Sequence, residues 1–151
     1  MILPLEKDTI IKRINGIQAE IAELLLLGKQ ALEEFSNGDG HKLAEYHLHR
    51  ALEGVFHIGS HVLSRISGGQ ATEYQEIARK LGEFGIVDKN FANTVLVKMA
   101  KYRNRVVHFY AEIQPPELYG IIKNNLGDFD IFLNAIKNVL ENSGKFNLSI
   151  E

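Results

Sequence analysis

Apolar residues recur along this chain at steps of three and four and almost nowhere at steps of two. Ile10, Ile14, Ile17, Ile21 and Leu24, continued by Leu32 and Phe35, fall on one face of a helix. Asp8 is the expected cap of this first helix, and the cluster Ser36-Asn37-Gly38-Asp39-Gly40 its end. A second helix carries Leu43, Tyr46, Leu48, Leu52, Val55, Val62 and Ile66 on its apolar side and stops at Gly68-Gly69. Glu73 to Leu81 reads as a shorter helix closed by Gly82 and Gly85. Asp88 caps a fourth, with Phe91, Val95, Leu96, Met99 and Val106 along its stripe. Pro115-Pro116 opens the last, because proline fits the first helical turn. Its stripe runs from Leu118 through Ile122, Leu126, Phe129, Phe132 and Ile136 to Leu140, and it stops near Gly144. The expected fold is therefore all-α: an antiparallel bundle of about five helices with short connections. The first two helices span about 25 residues each, on the order of 38 Å. Helices that long in a small protein leave a flat apolar flank, which predicts a homodimer.

Composition narrows the chemistry. A length of 151 residues suits one domain covering 1–151, with roughly two-thirds of the unfolded surface buried. The absence of cysteine excludes a disulfide framework, a thiolate zinc site, an iron–sulfur cluster and a cysteine nucleophile. The longest uninterrupted apolar run, Leu24 to Leu27, falls far short of the roughly 18–20 residues of a membrane span. Met1 to Leu5 leads into alternating charge instead of the apolar core of a signal peptide. These features predict a soluble, cytoplasmic protein with no membrane partner.

A formal charge of −2 argues, as an average, against a nucleic-acid partner. The distribution argues otherwise. Residues 1–87 sum to −3 and residues 109–151 to −3, whereas residues 88–108 hold Lys89, Lys98, Lys101, Arg103 and Arg105 against Asp88 alone, for +4. A phosphate-binding surface needs such a local stripe. A solvated helix face with cations biased toward its C-terminal half would look the same.

That helix ends in Lys101-Tyr102-Arg103-Asn104-Arg105-Val106-Val107-His108-Phe109-Tyr110. Imidazole titrates near neutrality, so His108 can pass a proton either way. Arg103 offers a permanently charged bidentate fork for phosphate oxygens. Asn104 lies one helical turn before His108, while Arg103 is about 140° around an ideal helix from it. The two converge on one phosphate only if the arginine reaches round, the helix end is distorted, or a second copy contributes. Tyr102, Phe109 and Tyr110 supply ring faces for stacking, and Lys98, Lys101 and Arg105 supply further charge for RNA. The set suits metal-independent RNA cleavage, in which a base deprotonates the ribose 2′-OH, that oxygen attacks the adjacent phosphorus, and cations stabilise the transition state. An arginine and a histidine that only cap the helix C-terminus would leave the same spacing.

Arg103-Asn104-x-x-x-His108-x-Tyr110, on the fourth helix of a small bundle, resembles the RN-x3-H-x-Y signature of HepT toxins within the HEPN superfamily. The resemblance extends to Phe91–Met99 before the signature and to Ala111-Glu112-Ile113 and Pro116-Glu117-Leu118-Tyr119 after it. Asp128 and Phe132 fit the family's last helix, Ala51–Leu63 its second, and Tyr74–Val87 its third with the connector, so that residues 8–142 are covered. It implies a HEPN-type fold, a ribonuclease toxin, and a dimer whose two signatures face one cleft. Arg103 and His108 become the catalytic pair, Asn104 a supporting residue, and Tyr110 the tyrosine to which an MntA-like nucleotidyltransferase antitoxin transfers AMP. An added phosphodiester would bring negative charge and bulk beside a phosphate-binding cleft. No cofactor is implied. Relatives often carry an acid on the second helix pointing at the cleft. The resemblance sets His57, in Phe56-His57-Ile58-Gly59, at that place, which implies that the acidic role is missing.

Two other readings stay open from sequence. One is a HEPN module that binds nucleotide or partners a nucleotidyltransferase without cutting RNA; the other is a dimeric helical scaffold with no chemistry. His57 and His61 have the helical spacing of two ligands for one metal, but no third ligand is identifiable, so no metal site is expected. Gly38-x-Gly40 is a turn and not a phosphate loop, and Ser60 and Ser64 lack the elbow and acid of a serine hydrolase.

Overall fold

A computed structural model describes residues 3–108 and 112–151. The described chain is helical: α1 (Lys7–Leu27), α2 (Leu32–Asn37), α3 (Gly40–Ser64), α4 (Tyr74–Glu83), α5 (Lys89–Phe91), α6 (Val97–Val107), α7 (Pro115–Asn124) and α8 (Gly127–Glu141). A π-helical stretch, Ala92–Leu96, joins α5 to α6, so the expected fourth helix is one continuous rod with a widened turn. Asp88 caps it as expected, its Oδ2 accepting the Phe91 N–H at 3.0 Å. Among the described residues the only extended pairing is a single bridge between Leu5 and Ile150, which ties the N-terminal segment to the C-terminal one. The all-α, HEPN-type bundle is the observed fold.

Two expected helices are divided. The first stops at Gly28 and restarts at Leu32, although its apolar stripe continues through both pieces. Carbonyls in the break find partners on α7: Lys123 Nζ donates to Gly28 O at 3.1 Å and the Tyr119 hydroxyl to Gln30 O at 2.7 Å. Helix continuation would have needed neither, so tertiary contacts with α7 hold the break open. The last expected helix likewise divides at Asn125-Leu126. Asp8 does not cap α1; it lies in the first turn, and Glu6 occupies the N-cap position with its N–H donated to His61 Nε2 at 3.1 Å. On α3 the buried arc is Ala44, Leu48, Ala51, Leu52, Val55 and Phe56, which turns Leu43 and Tyr46 to solvent.

α1 and α3 run antiparallel, with Glu6 against His61, Arg13 against His57 and Glu20 against Arg50. Gly54 permits this approach, since a Cβ there would come within 2.6 Å of Ile17 Cγ1. Phe35, Phe56 and Phe132 are wholly buried between the layers. α4 and α6 close the opposite flank of α3, and this places the end of α6 beside the middle of α3.

Candidate active site

α6 presents Arg103 toward α3 and Arg105 toward α7. Two positions apart on a helix is about 200°, so the two guanidinium groups leave on opposite sides. Arg103 Nε donates to Glu53 Oε1 at 2.5 Å, and its Nη1 donates to Asn104 Oδ1 at 3.3 Å. Its guanidinium carbon stands 4.0 Å from the centre of the Tyr74 ring. Tyr74 is in turn stacked on Phe56, with centroids 5.0 Å apart, and its hydroxyl donates to Glu53 Oε2 at 3.1 Å. Arg103 is therefore oriented from three sides, by a carboxylate, an aromatic face and an amide.

Glu53 is the residue that sequence reasoning missed. The resemblance put His57 where relatives carry an acid, but an acid does stand against Arg103, one turn before His57 on the same helix. His57 stands beside that acid, with its Nε2 3.6 Å from Glu53 Oε2, and His49 Nε2 lies 3.5 Å from Oε1 on the other side. A signal was present in the pattern: His49, Glu53 and His57 follow each other at helical-turn spacing, so one face carries an acid between two imidazoles. Tyr74 had no such signal, because it reaches the site from another helix.

The electrostatics follow from these contacts. Burial alone would raise the Glu53 carboxyl, but the hydrogen bond and charge of Arg103 outweigh it, helped by the Tyr74 hydroxyl and His49, and hold the group below its ordinary range. The Tyr74 phenol is pushed up, first by burial and then by the Glu53 charge.

His108 is exposed and lies just past the end of α6, with extended backbone at φ −104° and ψ 115°. Its N–H still donates to Asn104 O at 3.2 Å. The helix is intact from Arg103 to Val107, and only His108 itself departs from the helical φ and ψ, so the distortion at the helix end is confined to that residue. Tyr110, the expected modification site, lies outside the described residues, as does Phe109.

The remaining expected RNA contacts are on other faces. Arg105 grips Glu117 with both Nη atoms, at 2.7 and 2.9 Å, and the Tyr102 hydroxyl donates to the same carboxylate at 3.0 Å. The Arg105 hydrogen bond, ahead of burial, holds Glu117 below its ordinary range. Lys98 is exposed, with its ammonium 5.9 Å from the Tyr102 ring centre, and Lys101 is exposed one turn before Arg105. His61, half of the expected metal-spaced pair, accepts the Glu6 N–H instead, and burial pushes its imidazole down. No group of three or more histidines, acids or cysteines suited to a metal occurs among the described residues. No helix among them is long and apolar enough to cross a membrane.

Comparison with solved structures agrees with the fold. A chain from the crystal structure of a toxin–antitoxin with AMP-PNP superposes with a TM-score of 0.78 at 21% identity, covering 86% of this chain and 98% of that one. The Bacillus subtilis cytosolic protein of unknown function YutE superposes with a TM-score of 0.79 at 20% identity, covering 95% of each chain. No match was found among curated proteins. The family model for HepT-like ribonucleases matches residues 14–136, a span that takes in Glu53, Tyr74, Arg103 and His108. The chain belongs to the HepT-like ribonuclease family.

Proposed function

We propose that this protein is the ribonuclease toxin of a toxin–antitoxin pair and cleaves RNA without a metal. The observation that carries this reading is the fixed Arg103: a permanently charged fork held by Glu53 and Asn104 and backed by Tyr74. Preorganised charge of this kind stabilises a phosphorane-like transition state without reorganising at the moment of reaction. His108 takes the proton of a ribose 2′-OH, the oxygen attacks the adjacent phosphorus, and the bond from phosphorus to the 5′ oxygen of the next nucleotide breaks, that oxygen taking a proton from water. The products are a 2′,3′-cyclic phosphate and a 5′-hydroxyl. Glu53 is a positioning residue, acting through Arg103. Asn104 supports the same fork.

Two copies meet so that their signatures share one cleft, and an MntA-like nucleotidyltransferase silences the toxin by placing AMP on the Tyr110 phenol. The chemistry favours this, since each phosphodiester brings a negative charge to a site built for phosphate. The cytoplasm, where RNA and nucleotide are at hand, is the proposed location.

The test is cleavage of single-stranded RNA in excess chelator. Loss of cutting in Arg103→Ala and His108→Ala variants, with a cyclic phosphate on the wild-type product, is the expected result. Equal cutting by either variant would refute the catalytic pair. Mass spectrometry after co-expression with the neighbouring nucleotidyltransferase should find AMP on Tyr110, and an unmodified Tyr110 would remove the proposed neutralisation. The competing reading, a HEPN module that binds nucleotide without cutting, draws on the Glu53 ion pair, which already meets the Arg103 charge. Binding without cleavage by the wild type would favour it.

A further inference from the structure

A groove of about 800 Å³ runs between α1 and α3, beside the Arg103–Glu53 pair. Gly16 and Gly54 line it: Gly16 leaves backbone open to the groove, and Gly54 lets α1 and α3 close beneath it. A Cβ at Gly16 would meet nothing within 4 Å. Lys12 and Arg13 stand at one end, Tyr46 and Arg50 at the other. Charged side chains line both of its walls, where a helix pair commonly seals itself with apolar residues.

Its charges do not cancel. Glu20 is met by Arg50 at 2.8 Å and by His47 at 2.6 Å, and Glu53 is met by Arg103. Burial opposes the Glu20 charge, but hydrogen bonds from Arg50 and His47 overcome it and lower that carboxyl. With both acids satisfied, Lys12 and Arg13 remain, and no carboxylate among the described residues forms an ion pair with either. Arg13 Nη1 lies 3.0 Å from His57 Nδ1, an uncharged acceptor when that imidazole is neutral. At the other end Tyr46 is 56% exposed, with the Arg50 guanidinium 5.5 Å from its ring centre and the His47 ring edge-on at 5.2 Å. A second hollow, lined by Lys42, Glu45, Tyr46, His49 and Val106, adjoins the groove through Tyr46 and His49 and reaches α6 between Arg103 and His108; its lysine and its acid balance, so the excess cation is that of Lys12 and Arg13. Excess cation and an open aromatic face along one channel are the two ingredients of single-strand recognition.

We propose that this groove is a strand subsite, in which RNA running out of the cleavage site lays a backbone phosphate on Lys12 and Arg13 and stacks a base on Tyr46. The assignment rests on the ribonuclease reading and extends it to residues far from the signature. The phosphate contacts give affinity without sequence preference, and the stacked base adds tolerance for any nucleotide.

Fluorescence anisotropy with 2′-O-methyl RNA, which has no nucleophile and cannot be cut, separates binding from chemistry. The wild type should bind an oligonucleotide of about eight residues at least about tenfold more tightly than a dinucleotide. The Lys12→Gln/Arg13→Gln and Tyr46→Ala variants should each lose most of that gain, while Arg13→Lys keeps it. The salt slope of the double variant should fall by about 0.7 for each phosphate that no longer meets a cation. Circular dichroism and light scattering accompany each variant, because an altered oligomeric mass would assign the face to a second copy and overturn the proposal. An undiminished length gain in the folded variants would overturn it too, as would no gain in the wild type. Unmodified RNA, assayed in parallel, keeps the two readings apart. A wild type that fails to cut but shows the Arg13-dependent gain leaves the groove standing and removes the ribonuclease. Cutting without the gain removes the groove alone.

Discussion

α6 carries the same three-residue assembly twice. On one side Arg103, Glu53 and Tyr74 form a triad in which the carboxylate accepts from the guanidinium and the phenol. On the other side Arg105, Glu117 and Tyr102 repeat that pattern. The chemistry is alike, but the settings differ. Glu117 lies only 12 positions from Arg105 and its side chain is 38% exposed, whereas Glu53 is 50 positions from Arg103 and 23% exposed. Arg105 lies 5.5 Å from the Tyr102 ring centre, while Arg103 is pressed to 4.0 Å of Tyr74, itself stacked on Phe56. Glu53 also has an imidazole one turn away on each side and lines an open groove between α1 and α3. The Arg105 triad clasps α6 to α7. The Arg103 triad holds a charge in a fixed direction beside an open channel, which is what a reaction site requires.

The sharpest break of this comparison is at the two arginines. Arg103→Ala should lower RNA cleavage by about 10²–10⁴-fold, the usual range for a group acting in the transition state. Arg105→Ala should lower it by less than about tenfold, chiefly through a looser α6–α7 contact. Initial rates on a defined RNA, with both variants checked for folding, decide it. Equal losses would mean that the two triads share one role.

The glutamates come next. Glu53→Ala should cost about 1–2 kcal/mol, below the 3–5 of a fully buried pair because water still reaches the site, and should cut cleavage by about tenfold or more as Arg103 swings away. Glu53→Gln keeps an acceptor for the guanidinium and should fall between the alanine variant and wild type. Glu117→Ala should cost about 0.5–1 kcal/mol and leave the chemical step nearly as it was. Urea melts and single-turnover rates on the same preparations separate stability from catalysis. A Glu53 variant that melts early yet cuts at the wild-type rate would reduce this triad to a second clasp.

Legibility divides along the same line. The helices were readable because each buries a stripe of period 3.6, as in Ile10, Ile14, Ile17 and Ile21. The breaks at Gly28 and Asn125 were not, because the stripe runs through both and the stabilising partners of the first, Lys123 and Tyr119, are some 90 positions away. Arg103 and His108 stood out by residue type and by resemblance. Glu53 did not, since a charged residue on an amphipathic helix is usually only solvated. What separates it from Glu45 is the arginine that folding brings to it. The charge split was informative about which helix carries cations, but not about which are already paired. Arg105 contributes to the +4 and is spent on Glu117.

A smaller effect is the response to acid. His61 is held neutral and below its ordinary value near 6.5, so the unfolded chain takes up its proton first. Its contribution to stability is complete above that value and is lost as pH falls below it. Glu53 and Glu117 are each held below their ordinary value near 4.5, so their contributions are complete above it and are lost as pH falls further. The melting temperature should therefore decline in two stages on acidification. His61→Gln should flatten the first stage and Glu53→Gln part of the second. A wild-type melting temperature that rises between pH 7 and pH 5 would contradict the His61 assignment, and one that holds steady as pH falls below 4.5 would contradict those of the two glutamates.

The finest comparison is between the phenols. Tyr74→Phe and Tyr102→Phe each delete one hydroxyl donated to a glutamate, at 3.1 and 3.0 Å respectively, and keep the ring under its arginine. A single hydrogen bond of this kind is worth about 0.5–1.5 kcal/mol, or 1.5–3 where the acceptor is charged and shielded. Tyr102 donates to a carboxylate that Arg105 already grips with two Nη atoms, so its loss should sit at the bottom of that range. Tyr74 donates to the one Glu53 oxygen that Arg103 Nε does not engage, and His57 is its other neighbour at 3.6 Å. Without the hydroxyl, that oxygen can turn toward His57 and draw the guanidinium with it. Tyr74→Phe should thus lower cleavage by about two- to fivefold at little cost in melting temperature, while Tyr102→Phe changes neither by much. If the two substitutions prove equivalent in both measurements, the Glu53 carboxylate is held by Arg103 alone, and the Tyr74 hydroxyl has no part in orienting the guanidinium.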